Sequence, residues 1–192
     1  MFIRTVWFIS LSIRTFISKN LNTSQVVISF PIPIVYLNQC VLIDLLCGKT
    51  KLRFFVIFRL PNYDGLAENY VDLLIECLIL HATVLQTNIM TGDLNCPMIG
   101  WQNATCLADR ISRQLLDFTV DAGMYQFVDF ATRANNILDV LLTDDEEIIT
   151  TVAADVPIGQ SDHLMVTFNI FLVVDAVSQT TQSSYTKRPT YK

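Results

Sequence analysis

Residues 91–101 read TGDLNCPMIGW. Asp93 and Asn95 stand two apart, directly after an apolar run over 84–90, and Pro97 and Trp101 follow. Such a run ending in Gly-Asp-Leu-Asn predicts a strand that delivers an acid and an amide to its mouth. Two more stretches repeat the pattern. Asp139 lies inside NNILDVLLT (135–143), and Asp162 with His163 lies inside GQSDHLMV (159–166). A carboxylate inside an apolar strand is unfavourable unless it is paired, hydrogen-bonded or bound to a metal. Asp139, with Leu138 before it and Val140 to Leu142 after it, is the most exposed to this argument.

Taken singly, each spot has a plain structural reading. A Ser-Asp-His turn can be an ordinary capped turn, and one Asp in a strand can face solvent. His81, the only other histidine, ends a helical pattern, where the helix dipole favours a cation. Together the four acidic or imidazole groups suit phosphoester hydrolysis. A divalent metal needs hard oxygen ligands. The attacking water must be oriented and lose a proton. Charge growing on phosphate oxygens needs donors such as Asn, an imidazolium or the metal. A carboxylate behind the His fixes its tautomer and stabilises its charged form.

Around these spots the chain alternates strands and helices, which predicts a layered α/β architecture. CVLIDLL (40–46) and LRFFVIF (52–58) read as a hairpin across CGKTK. The GKT in that turn is not a phosphate loop, because Ile43 stands where the first Gly of that motif belongs. RLPNYDG (59–65) is a loop. Helical spacing follows at Leu66, Tyr70, Leu73, Leu74, Cys77 and Leu78, with Asp64 as the expected cap. A second helix is expected around Leu107, Ile111, Leu115 and Phe118, stopping at Gly123. YQFV, NILDVLLT, IITTVAA and LMVTFNIFLVV are the remaining strand candidates. Residues 175–192 read as a disordered polar tail and 1–39 as a diverged or non-native segment, leaving 40–174 as the domain.

The chain has 192 residues, of which 52% are hydrophobic, and its mean hydropathy is +0.42. The richest stretch, VVISFPIPIVYLNQCVLIDLLC, is broken by two prolines, Asn38, Gln39 and Asp44, so buried strands are expected rather than a membrane span. Arg4 and a short apolar run imitate a secretory leader, but no small-residue cleavage site follows. The expected setting is nuclear or cytoplasmic, without secretion or stable membrane association. The five cysteines fit no zinc spacing and are expected to be reduced thiols. The net charge is -5, yet residues 1–60 hold seven basic side chains and only one acid, Asp44. Overall acidity argues against a protein that coats nucleic acid, but not against a metal-dependent enzyme.

FRLPN (58–62), GDLNCPMIGW (92–101), QLLDFTVDAGMYQFV (114–128), TRANNILDVLLT (132–143) and PIGQSDHLMVTF (157–168) together resemble the endonuclease/exonuclease/phosphatase superfamily. The likeness is greatest to the apurinic-type endonuclease domain of non-LTR retrotransposons, whose elements associate this domain with a reverse transcriptase. It runs from Val41 to Phe171 and covers the latter part of that domain. The resemblance implies a partial four-layer α/β sandwich with an incomplete first half, Mg2+ or Mn2+ as cofactor, and DNA as ancestral substrate. By position, Asp93 matches the aspartate that orients the attacking water. Asn95 matches the asparagine on the scissile phosphate. His163 matches the general base or phosphate-stabilising cation, and Asp139 its orienting partner. Asp162 matches a carboxylate of the metal site, and Asn62 sits near the phosphate-contacting loop asparagine. Thr132 and Arg133 match a recurrent feature for strand contact. The alternatives are a superfamily phosphatase for a small phosphoester and a non-catalytic remnant.

The chain also departs from that pattern. Residues 1–63 contain no glutamate, whereas the family grips its metal with one on an early strand. Phe58 replaces a usual tyrosine, Leu60 a proline and Leu94 a phenylalanine. The expected consequences are an exposed inner sheet face and little or no nuclease activity.

Overall fold

A computed structural model of the chain describes residues 12–13, 24–27, 40–47, 50–59, 70–82, 86–107 and 109–172. The Asn62 and Asp64 expectations and the tail at 175–192 lie outside the described residues.

The hairpin forms as the sequence predicts. Strand β3 (Cys40–Cys47) runs antiparallel to β4 (Thr50–Phe58), with Asp44 directly opposite Arg53. Their side chains close a two-point fork, Nε to Oδ1 at 2.6 Å and a terminal nitrogen to Oδ2 at 2.7 Å. The only acid of residues 1–63 is therefore engaged by Arg53, which also donates to the carbonyl of His81 at the end of helix α1 (Tyr70–His81).

From β4 the chain crosses through α1 to β5 (Thr87–Asp93), which lies parallel to β4. A parallel return requires such a crossover. The ladder runs from Leu52↔Thr87 to Phe58↔Asp93, so β5 ends at Asp93 rather than at the expected Met90. Gly92 makes the last steps possible. Its φ is +127°, and a Cβ there would stand 2.0 Å from the carbonyl oxygen of Ile57. Only glycine tolerates both conditions.

The large sheet is completed by β2 (Ser24–Val27) beside β3, β9 (Asp139–Thr143) antiparallel to β5, and the short β8 (Tyr125–Gln126) beside β9. Its order is β2-β3-β4-β5-β9-β8. Helix α2 (Arg110–Asp121) begins at Asp109, whose carboxylate accepts from the backbone N–H of Ser112 at 3.0 Å. This cap places the start of α2 after Leu107, which is exposed, so the expected apolar stripe begins at Ile111 instead. Ahead of it, β6 (Ile99–Gly100) and β7 (Thr105–Cys106) make a two-stranded ribbon. A second sheet holds β10 (Ile149–Asp155) and β11 (Met165–Ile170), with β1 (Ser12–Ile13) parallel to β11.

Strand alternation sorts the core into two layers. Phe55, Ile57, Met90, Val140 and Leu142 face α1 and α2, where Val71, Leu74, Leu78 and Leu115 meet them. Leu52, Phe54, Ile89 and Leu141 face the opposite way and pack with Ile149, Phe168 and Ile170 of the second sheet. The result is a helix layer, a six-stranded sheet and a three-stranded sheet. The inner face is thus covered at its centre, contrary to expectation, because two long strands of the second sheet come from residues 149–170. Val41 at the β3 end remains exposed. Asp93 and Asp139 share the inner-face phase with Ile89 and Leu141, so both carboxylates emerge at one end of the gap between the sheets.

No disulfide joins Cys40, Cys77, Cys96 or Cys106. Burial, with Cys77 nearby as a lesser cause, pushes the Cys40 thiol up to about 12. Among the described residues no helix is long and apolar enough to cross a membrane.

Candidate active site

Asp93, Asp139 and His163 come together. One ligand atom from each lies within 4.8 Å of the others, and all three residues are buried. Their convergence follows from the strands. Asp93 is the last residue of β5 and Asp139 the first of β9, and the two are directly paired across the ladder. His163 lies just before β11, in the turn that carries the chain into the second sheet.

Nδ1 of His163 is 2.8 Å from Oδ2 of Asp139. With that nitrogen engaged, Nε2 is the one suited to act on a substrate. Oδ1 of Asp139 is buried and has no hydrogen-bond partner among the described residues. An orphan carboxylate oxygen beside a second carboxylate is a costly arrangement that a cation relieves. Burial raises the Asp93 carboxyl to about 6, Asp139 adds to the rise, and the Asn95 backbone N–H, His163 and Arg59 oppose it.

The Asp93–Asn95 turn is closed internally. The Asn95 backbone N–H donates to Oδ1 of Asp93 at 2.8 Å, and its side-chain nitrogen donates to Oδ2 at 2.8 Å. That nitrogen also donates to the Arg59 carbonyl at 2.7 Å. Both acceptors fix the amide orientation, so its N–H groups serve the protein. A phosphate contact through the same nitrogen, as the resemblance implies, requires breaking one of these bonds. Asn95 reaches this geometry with φ +48°, the left-handed region that Asn tolerates better than most residues.

Asp162 and Arg133 stand at the rim. The Arg133 guanidinium meets Oδ2 of Asp162 at 2.8 and 2.7 Å, and Oδ1 of Asp162 is 3.9 Å from Nε2 of His163. Asp162 is 66% exposed and is not part of the buried cluster. Thr132, read from the sequence as a strand-contact residue, is fully buried. Its hydroxyl accepts the backbone N–H groups of Leu138 and Asp139, both at 3.0 Å, and its carbonyl accepts from Leu164 at 2.8 Å. It therefore ties the Asp139 strand to the His163 turn.

Two supporting residues were not singled out in the sequence. Gln126 Oε1 accepts from the N–H groups of Phe127, Val128 and Leu141, holding the chain against β9. Arg59 braces the 93–95 turn from behind through the carbonyls of Leu94 and Asn95. A basic residue in a Pro-containing loop carries no pattern that would have marked it.

No protein-family model and no curated protein matches the sequence. Among solved structures, the chain is similar to the endonuclease domain of TRAS1, a telomere-specific non-LTR retrotransposon. The TM-score is 0.59 at 19% identity, over 78% of this chain and 68% of that one. The fold is that of the endonuclease/exonuclease/phosphatase domains. A family protein of that name from Leptotrichia buccalis C-1013-b aligns with a TM-score of 0.48 at 16% identity, over 68% of this chain and 52% of that chain. In this endonuclease/exonuclease/phosphatase fold, the cluster sits at the end of the sandwich where β5, β9 and the turn before β11 meet.

Proposed function

We propose that the chain is a metal-dependent phosphodiester hydrolase domain of the DNA-endonuclease type, derived from a non-LTR retrotransposon. The observation that carries this reading is the buried Asp93, Asp139 and His163 group, with His163 held by Asp139 at 2.8 Å. The likeness to a retrotransposon endonuclease domain supports DNA as the substrate.

Each residue has a role that its surroundings suit. Asp139 holds the His163 ring and stabilises its protonated form, so that Nε2 takes a proton from the attacking water or steadies the phosphate oxygens. Asp93, fixed by two bonds from Asn95, orients that water. Arg133 and Asp162 form an exposed pair at the rim, where the guanidinium lies ready for a backbone phosphate. Asn62 keeps its proposed phosphate contact from the FRLPN loop.

Two carboxylates, one with an orphan oxygen, and an imidazole within 4.8 Å fit Mg2+ or Mn2+, held by Asp93 and Asp139 with Asp162 at the rim. When bound, the ion supplies charge stabilisation on the phosphate. The glutamate expected of an early strand has no counterpart in residues 1–63. Fewer hard ligands weaken the hold on the ion, so low turnover is expected.

The test is nicking of supercoiled plasmid with magnesium or manganese. Slow nicking that His163→Ala abolishes is expected. Equal nicking by the His163→Ala protein sinks the proposal, and rapid turnover overturns the low-activity part. Cleavage of abasic duplex but not of inositol phosphates separates a DNA enzyme from a small-phosphoester phosphatase.

A further inference from the structure

Arg59 is the first residue after β4, and four hydrogen bonds tie it to three consecutive residues of the site turn. Its backbone N–H donates to the Asp93 carbonyl at 2.8 Å. Its own carbonyl accepts from the Asn95 side chain at 2.7 Å. Its guanidinium donates through Nε to the Leu94 carbonyl at 2.5 Å and through a terminal nitrogen to the Asn95 carbonyl. We propose that Arg59 is a positioning residue of this site, fixing the Asp93–Asn95 turn so that Asp93 is held in one orientation toward His163 and Asp139. The proposal rests on the hydrolase reading of the site and adds a residue to it.

The geometry explains why arginine does this. Leu94 and Asn95 present successive carbonyls to the same side, and Asn95 holds a left-handed φ of +48°. Both residues are buried, so neither carbonyl has ready access to water. A planar fork with several N–H groups satisfies two neighbouring carbonyls at once, whereas an ammonium is a single point on a flexible stem. Relaxing either carbonyl lets the turn rotate. Asn95 then releases Oδ1 and Oδ2 of Asp93 together, because both bonds depend on where the Asn95 backbone sits. Arg59 acts on the Asp93 side chain through Asn95.

The test compares Arg59→Lys, Arg59→Met and Arg59→Ala with the unaltered chain in magnesium-dependent plasmid nicking. Displacing a catalytic group by about an ångström lowers turnover on the order of 100-fold. So kcat should fall roughly 10- to 100-fold in Arg59→Met, with KM nearly unchanged and Arg59→Lys no better than partly active. Millimolar guanidinium should restore part of the Arg59→Ala turnover, which general destabilisation would not allow. A second measurement is independent of activity: the Asn95 side-chain amide protons, followed by NMR, should exchange slowly in the unaltered protein and rapidly in Arg59→Met. Wild-type kcat in Arg59→Met, or slow Asn95 exchange in both proteins, overturns the proposal. If the unaltered chain cleaves nothing, the hydrolase reading fails alone, and the Asn95 exchange still decides whether Arg59 positions the turn.

Discussion

Asp93 and Asp139 face each other across the β5–β9 ladder, on the same side of the sheet, and only Asp139 is braced by an imidazole. Like charges directly opposite on neighbouring strands are destabilising. The pair therefore lowers the stability of the folded chain unless a cation lies between the two carboxylates. Asp139→Asn keeps an acceptor for Nδ1 of His163, removes the charge opposite Asp93 and puts an N–H in place of the orphan oxygen of Asp139. Without added cation, this variant should melt a few degrees higher than the unaltered chain, and any nicking should drop by two orders of magnitude or more, as about 10²–10⁴ follows from losing a base's orienting partner. A lower melting temperature in scanning calorimetry would show that the two carboxylates do not repel.

The same pair predicts a response to magnesium. An ion bound by the folded site and not by the unfolded chain raises stability by mass action. Millimolar magnesium should raise the melting temperature of the unaltered protein, and the rise should vanish in Asp93→Asn. An unchanged melting curve in the unaltered protein means that the cluster holds no cation.

The raised Asp93 carboxyl gives a pH dependence of unusual sign. Its ordinary value of 3.8 rises to about 6 in the folded protein, chiefly through burial and next through Asp139. Between those values the folded chain binds more protons than the unfolded one, so stability falls as pH rises. Over this window Asp93 contributes a loss on the order of 3 kcal/mol at most, since each unit is about 1.4 kcal/mol. Urea unfolding from pH 4 to 7 should show a downward slope in the unaltered chain that Asp93→Asn flattens. A slope identical in both proteins would assign the dependence to other groups.

Much of this site is legible in the sequence because its acids interrupt apolar strands. Asp93, Asp139 and the Asp162–His163 turn each break a run that burial would otherwise keep apolar, and three of those four side chains meet. The hairpin at 40–58 is equally legible, since two β-rich runs flank a short turn. The supports are harder to read. Arg59, Thr132 and Gln126 act by hydrogen bonds to backbone groups 36, 7 and 15 residues away, and no periodicity records such a bond. Helix α2 starts later than its apolar spacing suggests, because Leu107 fits the spacing while the Asp109 cap decides the start. The inner face is more covered than the sequence suggests because β10 and β11 already belong to the opposing sheet.

Thr132 offers the clearest separation between holding a site and serving in it. Its hydroxyl is the acceptor for two buried N–H groups, those of Leu138 and Asp139, and its carbonyl anchors Leu164 beside His163. Thr132→Val keeps the shape and removes the acceptor. Leaving a buried donor without a partner costs about 1–3 kcal/mol. The variant should lose that much in urea unfolding, whereas Thr132→Ser, which keeps the hydroxyl, should lose less than half as much. Arg133, its neighbour, provides the contrast. It is exposed and pairs with Asp162 at the surface, where ion pairs contribute about 0–1 kcal/mol. Arg133→Ala should leave stability almost unchanged and weaken DNA binding instead, with a shallower salt dependence. Equal destabilisation by the two variants would mean that the 132–133 segment is held by its surface pair rather than by the buried hydroxyl.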